Sequence, residues 1–89
     1  MSWGAETFLP YSEADITAML TAFVDNEDYG MVLRAKGYVP CTDGEDWVYF
    51  DYTPGELNVR RGGADVTGRI CVIGAGLQED KLKELFRIA

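Results

Sequence analysis

The chain has 89 residues, 47% of them hydrophobic, with 8 Lys and Arg against 15 Asp and Glu and no histidine. That length holds one core that buries roughly 60 to 65% of the unfolded surface, so two domains are excluded and only modest stability is expected unless the chain leans on something else, a larger parent protein being one candidate. A net charge of −7 disfavours non-specific binding to nucleic acid or anionic membrane, and the lack of histidine removes the commonest general base and transition-metal ligand together.

Met1-Ser2-Trp3-Gly4 has neither the basic nor the apolar region of an export signal, and no apolar run approaches the ~20 residues of a membrane span. With only two cysteines, the expectation is a reduced, cytoplasmic protein with no membrane partner. Residues 1–10 form an apolar leading segment, readable as an edge strand and ended by Pro10. Ser12 followed three residues later by Asp15 is a near relative of the capping box, so a helix should start at about Glu13. Ile16, Met19, Leu20, Phe23 and Val24 recur at helical spacing, and the polar run Asp25-Asn26-Glu27-Asp28 closes the stripe.

After Tyr29-Gly30 the period switches from 3.6 to 2, and four strands follow. The first is Met31 to Val39, and a turn at Thr42-Asp43-Gly44-Glu45 leads to the second, Trp47 to Tyr52. Thr53-Pro54-Gly55-Glu56 suits a type II turn, since proline presets φ at the second position and glycine accepts a positive φ at the third. Leu57 to Arg60 and Arg69 to Ile73 complete the set, separated by a loop that runs from Arg61 to Gly68. A closing helix is predicted over Glu79 to Ile88, with Leu82, Leu85 and Phe86 on one face.

Helix, four strands and helix predict an α+β, two-layer fold: an antiparallel sheet of four to five strands with both helices on one face. Alternation assigns Leu33, Ala35, Val39, Val48, Phe50, Leu57, Val59, Ile70 and Val72 to the helix side. The other side would carry Arg34, Lys36, Tyr38, Trp47, Tyr49, Asn58, Arg60, Arg69, Cys71 and Ile73. Aromatics beside arginine on an open face make a docking surface, unless the leading segment around Trp3 and Phe8 covers it.

Several chemistries can be weighed against these residues. Gly74-Ala75-Gly76 precedes a helix, but Glu79 stands at the third glycine position of a dinucleotide fingerprint and no βαβ unit follows. Gly62-Gly63 lacks the Gly-Lys-Ser/Thr ending of a P-loop and reads as a mobile connection. Cys41 and Cys71 are weak metal candidates, because two thiolates without histidine do not fill a tetrahedral site, and neither has a base for nucleophilic catalysis. Asp43, Glu45, Asp46 and Asp51 lack EF-hand spacing and read as a solvated hairpin tip. Single-stranded nucleic acid on the open face is a weaker alternative, set against the overall charge. No catalytic residue is assigned.

Leu33-Arg34-Ala35-Lys36-Gly37 resembles the Arg-x-Lys-Gly signature of the C-terminal domain of CobW-type P-loop GTPases. The helix ahead of it, the tryptophan-bearing strand behind it, and Arg69-Ile70-Cys71-Val72-Ile73-Gly74 with Leu77 and Leu82 are similar to that family in order and spacing. Arg34, Lys36, Gly37 and Gly74 are its signature positions here. The resemblance implies one C-terminal-type domain over residues 1–89, excised from a larger GTPase of cobalamin synthesis or of zinc and other metal delivery. It implies the GTPase domain of the same protein or a client metalloprotein as partner, and GTP and a divalent metal for the parent only. The chain itself has no Gly-x-x-x-x-Gly-Lys-Ser/Thr, Asn-Lys-x-Asp or Cys-x-Cys-Cys and no histidine-rich stretch, and Gln78 stands where an aspartate often caps the final helix.

Overall fold

The computed structural model describes residues 1–25 and 27–88. The elements run β1 (Ser2–Thr7), α1 (Glu13–Asp25), β2 (Met31–Pro40), β3 (Trp47–Thr53), β4 (Glu56–Gly62), β5 (Gly68–Ala75) and α2 (Glu79–Leu85). Local chemistry sets the first boundaries. The Ser12 amide donates to Asp15 Oδ2 at 3.0 Å and the Asp15 amide to Ser12 Oγ at 2.9 Å, a reciprocal capping box that satisfies two of the helix's orphan donors. Between β3 and β4, Gly55 adopts φ 90°, as the predicted type II turn requires.

The five strands form one antiparallel sheet in the order β1-β5-β2-β3-β4. Both helices pack on one face of it. Ile16, Met19, Leu20 and Phe23 of α1 and Leu82 and Phe86 of the α2 end join Ala35, Val39, Val48, Phe50, Ile70 and Val72 in a single core. Aromatic rings knit its centre: Phe23 lies 5.6 Å from Tyr52 and 6.3 Å from Phe86, and Trp3 stacks on Phe86 at 6.1 Å. The buried Tyr11 hydroxyl donates to the Phe86 carbonyl at 2.6 Å, tying the end of α2 to the loop before α1.

Two signature glycines earn their place by packing. A Cβ on Gly37 would strike the Arg69 carbonyl of β5 and sit 2.8 Å from Phe50 Cζ, so the bare backbone is what lets the Phe50 ring lie across the centre of the sheet. A Cβ on Gly74 would likewise collide with the Met31 carbonyl.

Several expectations are corrected. Leu33 is 52% exposed, because a register shift between Val32 and Arg34 inserts it as a bulge and hands the buried position to Val32. Leu57 is exposed and Val59 only partly buried, since β4 is an edge strand that α1 covers incompletely; Val24, on the margin of the same helix, is exposed too. The loop after β4 is shorter than expected, with Arg61 and Gly62 still paired to Val48 and Trp47. The closing helix ends at Leu85 rather than Ile88. Arg87 turns left-handed at φ 61°, its amide donates to the Glu84 carbonyl, and the Ile88 amide reaches back to Lys83, which is the Schellman closure with arginine where glycine is usual. The predicted polar closure of α1 includes Asn26, which lies outside the described residues.

A candidate docking face

The sheet face turned away from the helices is built by register. One row runs straight across the five strands: Glu6 opposite Arg69, Arg69 opposite Tyr38, Tyr38 opposite Tyr49, and Tyr49 opposite Arg60. The next row runs Gly4, Cys71, Lys36, Asp51 and Asn58. Arg34 and Ile73 face each other at one end, and Pro40 and Trp47 at the other. The leading segment does not cover this surface. It forms β1 at the sheet edge, its Trp3 turns inward to the core, and Phe8 is exposed.

Three rings form the middle of the face. Tyr38 lies 5.5 Å from Tyr49 and 6.4 Å from Trp47, and all three are half-buried. Tyr49 is held in place: its hydroxyl donates to the Gly63 carbonyl at 2.7 Å, and its ring lies so close over Gly62 that a Cβ there would stand 2.6 Å from Cε1. The Arg60 guanidinium sits 6.0 Å from the Tyr49 ring centroid, within cation–π range.

Three of the four bases on this face are paired with carboxylates. Asp51 forms ion pairs with Arg60 at 3.1 Å and with Arg34 at 3.8 Å, and Glu6 pairs with Arg69 at 3.4 Å. Asp51 is therefore a strand residue on this face rather than part of the hairpin tip. Among the described residues Lys36 has no carboxylate within ion-pair distance, although it stands in register with Asp51. Alternation could have placed Asp51, two residues from Tyr49, but Glu6 needed the β1–β5 pairing. Exposed pairs of this kind each contribute ~0–1 kcal/mol, so they shape the surface more than they stabilise it.

The remaining candidates separate. Arg61 points to the helix side, where it pairs with Glu13, Asp43 and Asp46, and the Glu13 hydrogen bond at 2.6 Å holds its guanidinium above the usual arginine range. Cys41 lies in the core, whereas Cys71 sits on the outer face between Gly4 and Lys36, so the two thiols are not brought together. Among the described residues no group of three His, Cys, Asp or Glu side chains is gathered as a metal site. Among the described residues no helix is long and apolar enough to cross a membrane.

Residues 7–89 match the family model described as cobalamin synthesis protein cobW C-terminal domain. No curated protein matches the chain. Zinc-bound YjiA GTPase from E. coli shares the fold, with a TM-score of 0.77 and 16% identity over 97% of this chain and 28% of that one. A zinc-bound triple mutant of YjiA GTPase gives a TM-score of 0.78, again at 16% identity over 97% of this chain. The present chain thus spans 28% of the length of these structures.

Proposed function

The chain belongs to the cobW C-terminal domain family, and from that premise we propose that it is a non-catalytic accessory domain whose outer sheet face docks on the GTPase domain of its parent protein. The observation that carries this reading is the uncovered face itself. Both helices lie on one side of the sheet, and the other presents Tyr38, Trp47 and Tyr49 in ring contact, rimmed by Arg34, Lys36, Arg60 and Arg69. Adjoining aromatics supply contact area at low entropic cost, and a rim of fixed charges orients a partner. Lys36, with no carboxylate within ion-pair distance among the described residues, is the charge most available to an acidic residue across an interface.

In this reading GTP and a divalent metal belong to the parent's other domain, since the chain has no phosphate-binding loop. Zinc in the structural neighbours is a property of those proteins, and metal or cobalamin-cofactor delivery would be the work of the whole protein. A client metalloprotein is the alternative occupant of the same face. Single-stranded nucleic acid fits less well, because Glu6 and Asp51 already pair with Arg69, Arg60 and Arg34 and offset two of their three charges.

The test is calorimetric titration of the chain with the separately expressed GTPase domain. Tyr38→Ala should weaken association by about 2 kcal/mol, roughly 30-fold, while Arg34→Ala and Lys36→Ala should cost less and fade at high salt. Unchanged association in both charge variants would show that docking does not use this face.

A further inference from the structure

We propose that the open edge of β1 pairs antiparallel with β1 of a second copy of this chain, with Gly4 at the two-fold axis, so that two domains share one continuous sheet. The main-chain geometry sets which groups are free. The Gly74 amide donates to the Met1 carbonyl at 3.0 Å, and the β1–β5 register then turns the main-chain groups of Met1, Trp3, Ala5 and Thr7 towards β5 and those of Ser2, Gly4 and Glu6 outward. β1 is the last strand of the sheet, and Ser2, Gly4 and Glu6 are all exposed. A row of unpaired main-chain groups is a template for another strand unless something blunts it. The opposite edge is blunted: β4 carries Glu56, Arg60 and Arg61, and Arg61 reaches across to Glu13 of α1. β1 has no lysine, proline or bulge.

The second, independent observation is Gly4. Gly37 and Gly74 are held to glycine by backbone pressing on them, but a Cβ on Gly4 would meet nothing nearer than the Ile70 carbonyl at 3.8 Å, an ordinary contact, and its φ is not positive. Packing within the chain does not require a glycine there, and a bare residue inside a strand marks the close approach of another backbone. A second copy of β1 is the occupant that its own residues complete. With Gly4 opposite the partner's Gly4, Ser2 meets the partner's Glu6 and Glu6 the partner's Ser2, and each of these pairs exchanges two main-chain hydrogen bonds. All three outward residues are used, and no like charges stand opposite each other. On the inner side Trp3 faces the partner's Ala5, whose small side chain leaves room for the indole. The contact is isologous. It sets the helices of both copies on one side of the shared sheet and leaves both outer faces open for docking.

Sedimentation velocity on the full chain over a concentration series tests this. The mass should rise from 9.9 kDa towards twice that value. Because each copy carries a charge of −7, added salt should strengthen the pairing, the opposite of its effect on contacts made by rim charges. In hydrogen exchange the amides of Ser2, Gly4 and Glu6 should gain protection as the concentration rises. Gly4→Lys, whose side chain the monomer accommodates, brings two lysines together at the axis and should weaken association about fivefold or more with the unfolding midpoint unchanged. Ser2→Glu, which sets a carboxylate against the partner's Glu6 on both sides of the axis, should do the same. A mass that stays monomeric into the millimolar range, or association indifferent to Gly4→Lys, would overturn the proposal. Association indifferent to Ser2→Glu would overturn the register centred on Gly4. Loss of association in Tyr38→Ala would place the contact on the outer face and overturn the edge pairing too, whereas a chain that is simply monomeric leaves the docking reading intact.

Discussion

On β3, Val48, Phe50 and Tyr52 face the helices while Trp47, Tyr49 and Asp51 face away, so one seven-residue strand serves two surfaces with different physics. The inner residues are buried between sheet and helices. The outer ones touch one another, keep part of their surface in water and are arranged by charge and ring contact. An inner position is thus sensitive to shape, and an outer one to what approaches it.

The sharpest contrast is expected between Phe50→Ala and Tyr49→Ala. The first opens a cavity in the core and should lower unfolding free energy by about 3–5 kcal/mol in urea titration, whereas the second should cost about 1 kcal/mol or less. Comparable losses would erase the distinction between the faces. Gly37→Ala should cost about 1–3 kcal/mol, since the new methyl must displace either the Phe50 ring or the β5 backbone. Were its stability normal and docking lost, Gly37 would be a contact residue rather than a packing one. Ser12→Ala should remove about 1 kcal/mol through the helix cap that holds α1 over the inner face. Lys36→Ala, at the centre of the outer face, should stay within about 0.5 kcal/mol in the same assay.

The smallest effect is one of pH. Hydrogen bonds from the Ser12 amide and hydroxyl hold Asp15 below its ordinary value of 3.8, so its contribution to stability is present above that value and lost as pH falls through the lower folded value. Asp15→Asn should therefore flatten the acid limb of a urea-midpoint profile between about pH 5 and pH 2.5 without altering the alkaline limb. An unchanged acid limb would mean that the cap does not depend on the carboxylate charge.

Features decided by near neighbours were legible in the chain. The Ser12–Asp15 box, the Pro54-Gly55 turn and the alternation over Ala35 to Val39 each depend on side chains within a few residues of one another. Leu33 was misplaced because a bulge breaks the period without leaving a mark in composition. The fate of Leu57 depended on how far α1 reaches over the edge strand. Of the outer face, the rings and bases could be named in advance, but Asp51 was grouped with Asp43, Glu45 and Asp46 because four acids in nine positions look alike until the strand separates them. Which main-chain groups of β1 face the open edge had no sequence signal at all, since the pairing with β5 sets them.

By itself, the sequence determined the capped start of α1, the strand phases away from the Leu33 bulge and the two-layer class, because hydrogen-bond capping, side-chain alternation and turn chemistry act over a few residues of chain. Only the tertiary structure decided that β1 closes the far edge beside β5 with Trp3 turned inward, that Glu6 and Asp51 pair with three arginines, and that Gly37 makes room for Phe50. Each of these is a contact between residues far apart along the chain, and its energy appears only once the sheet order brings them together.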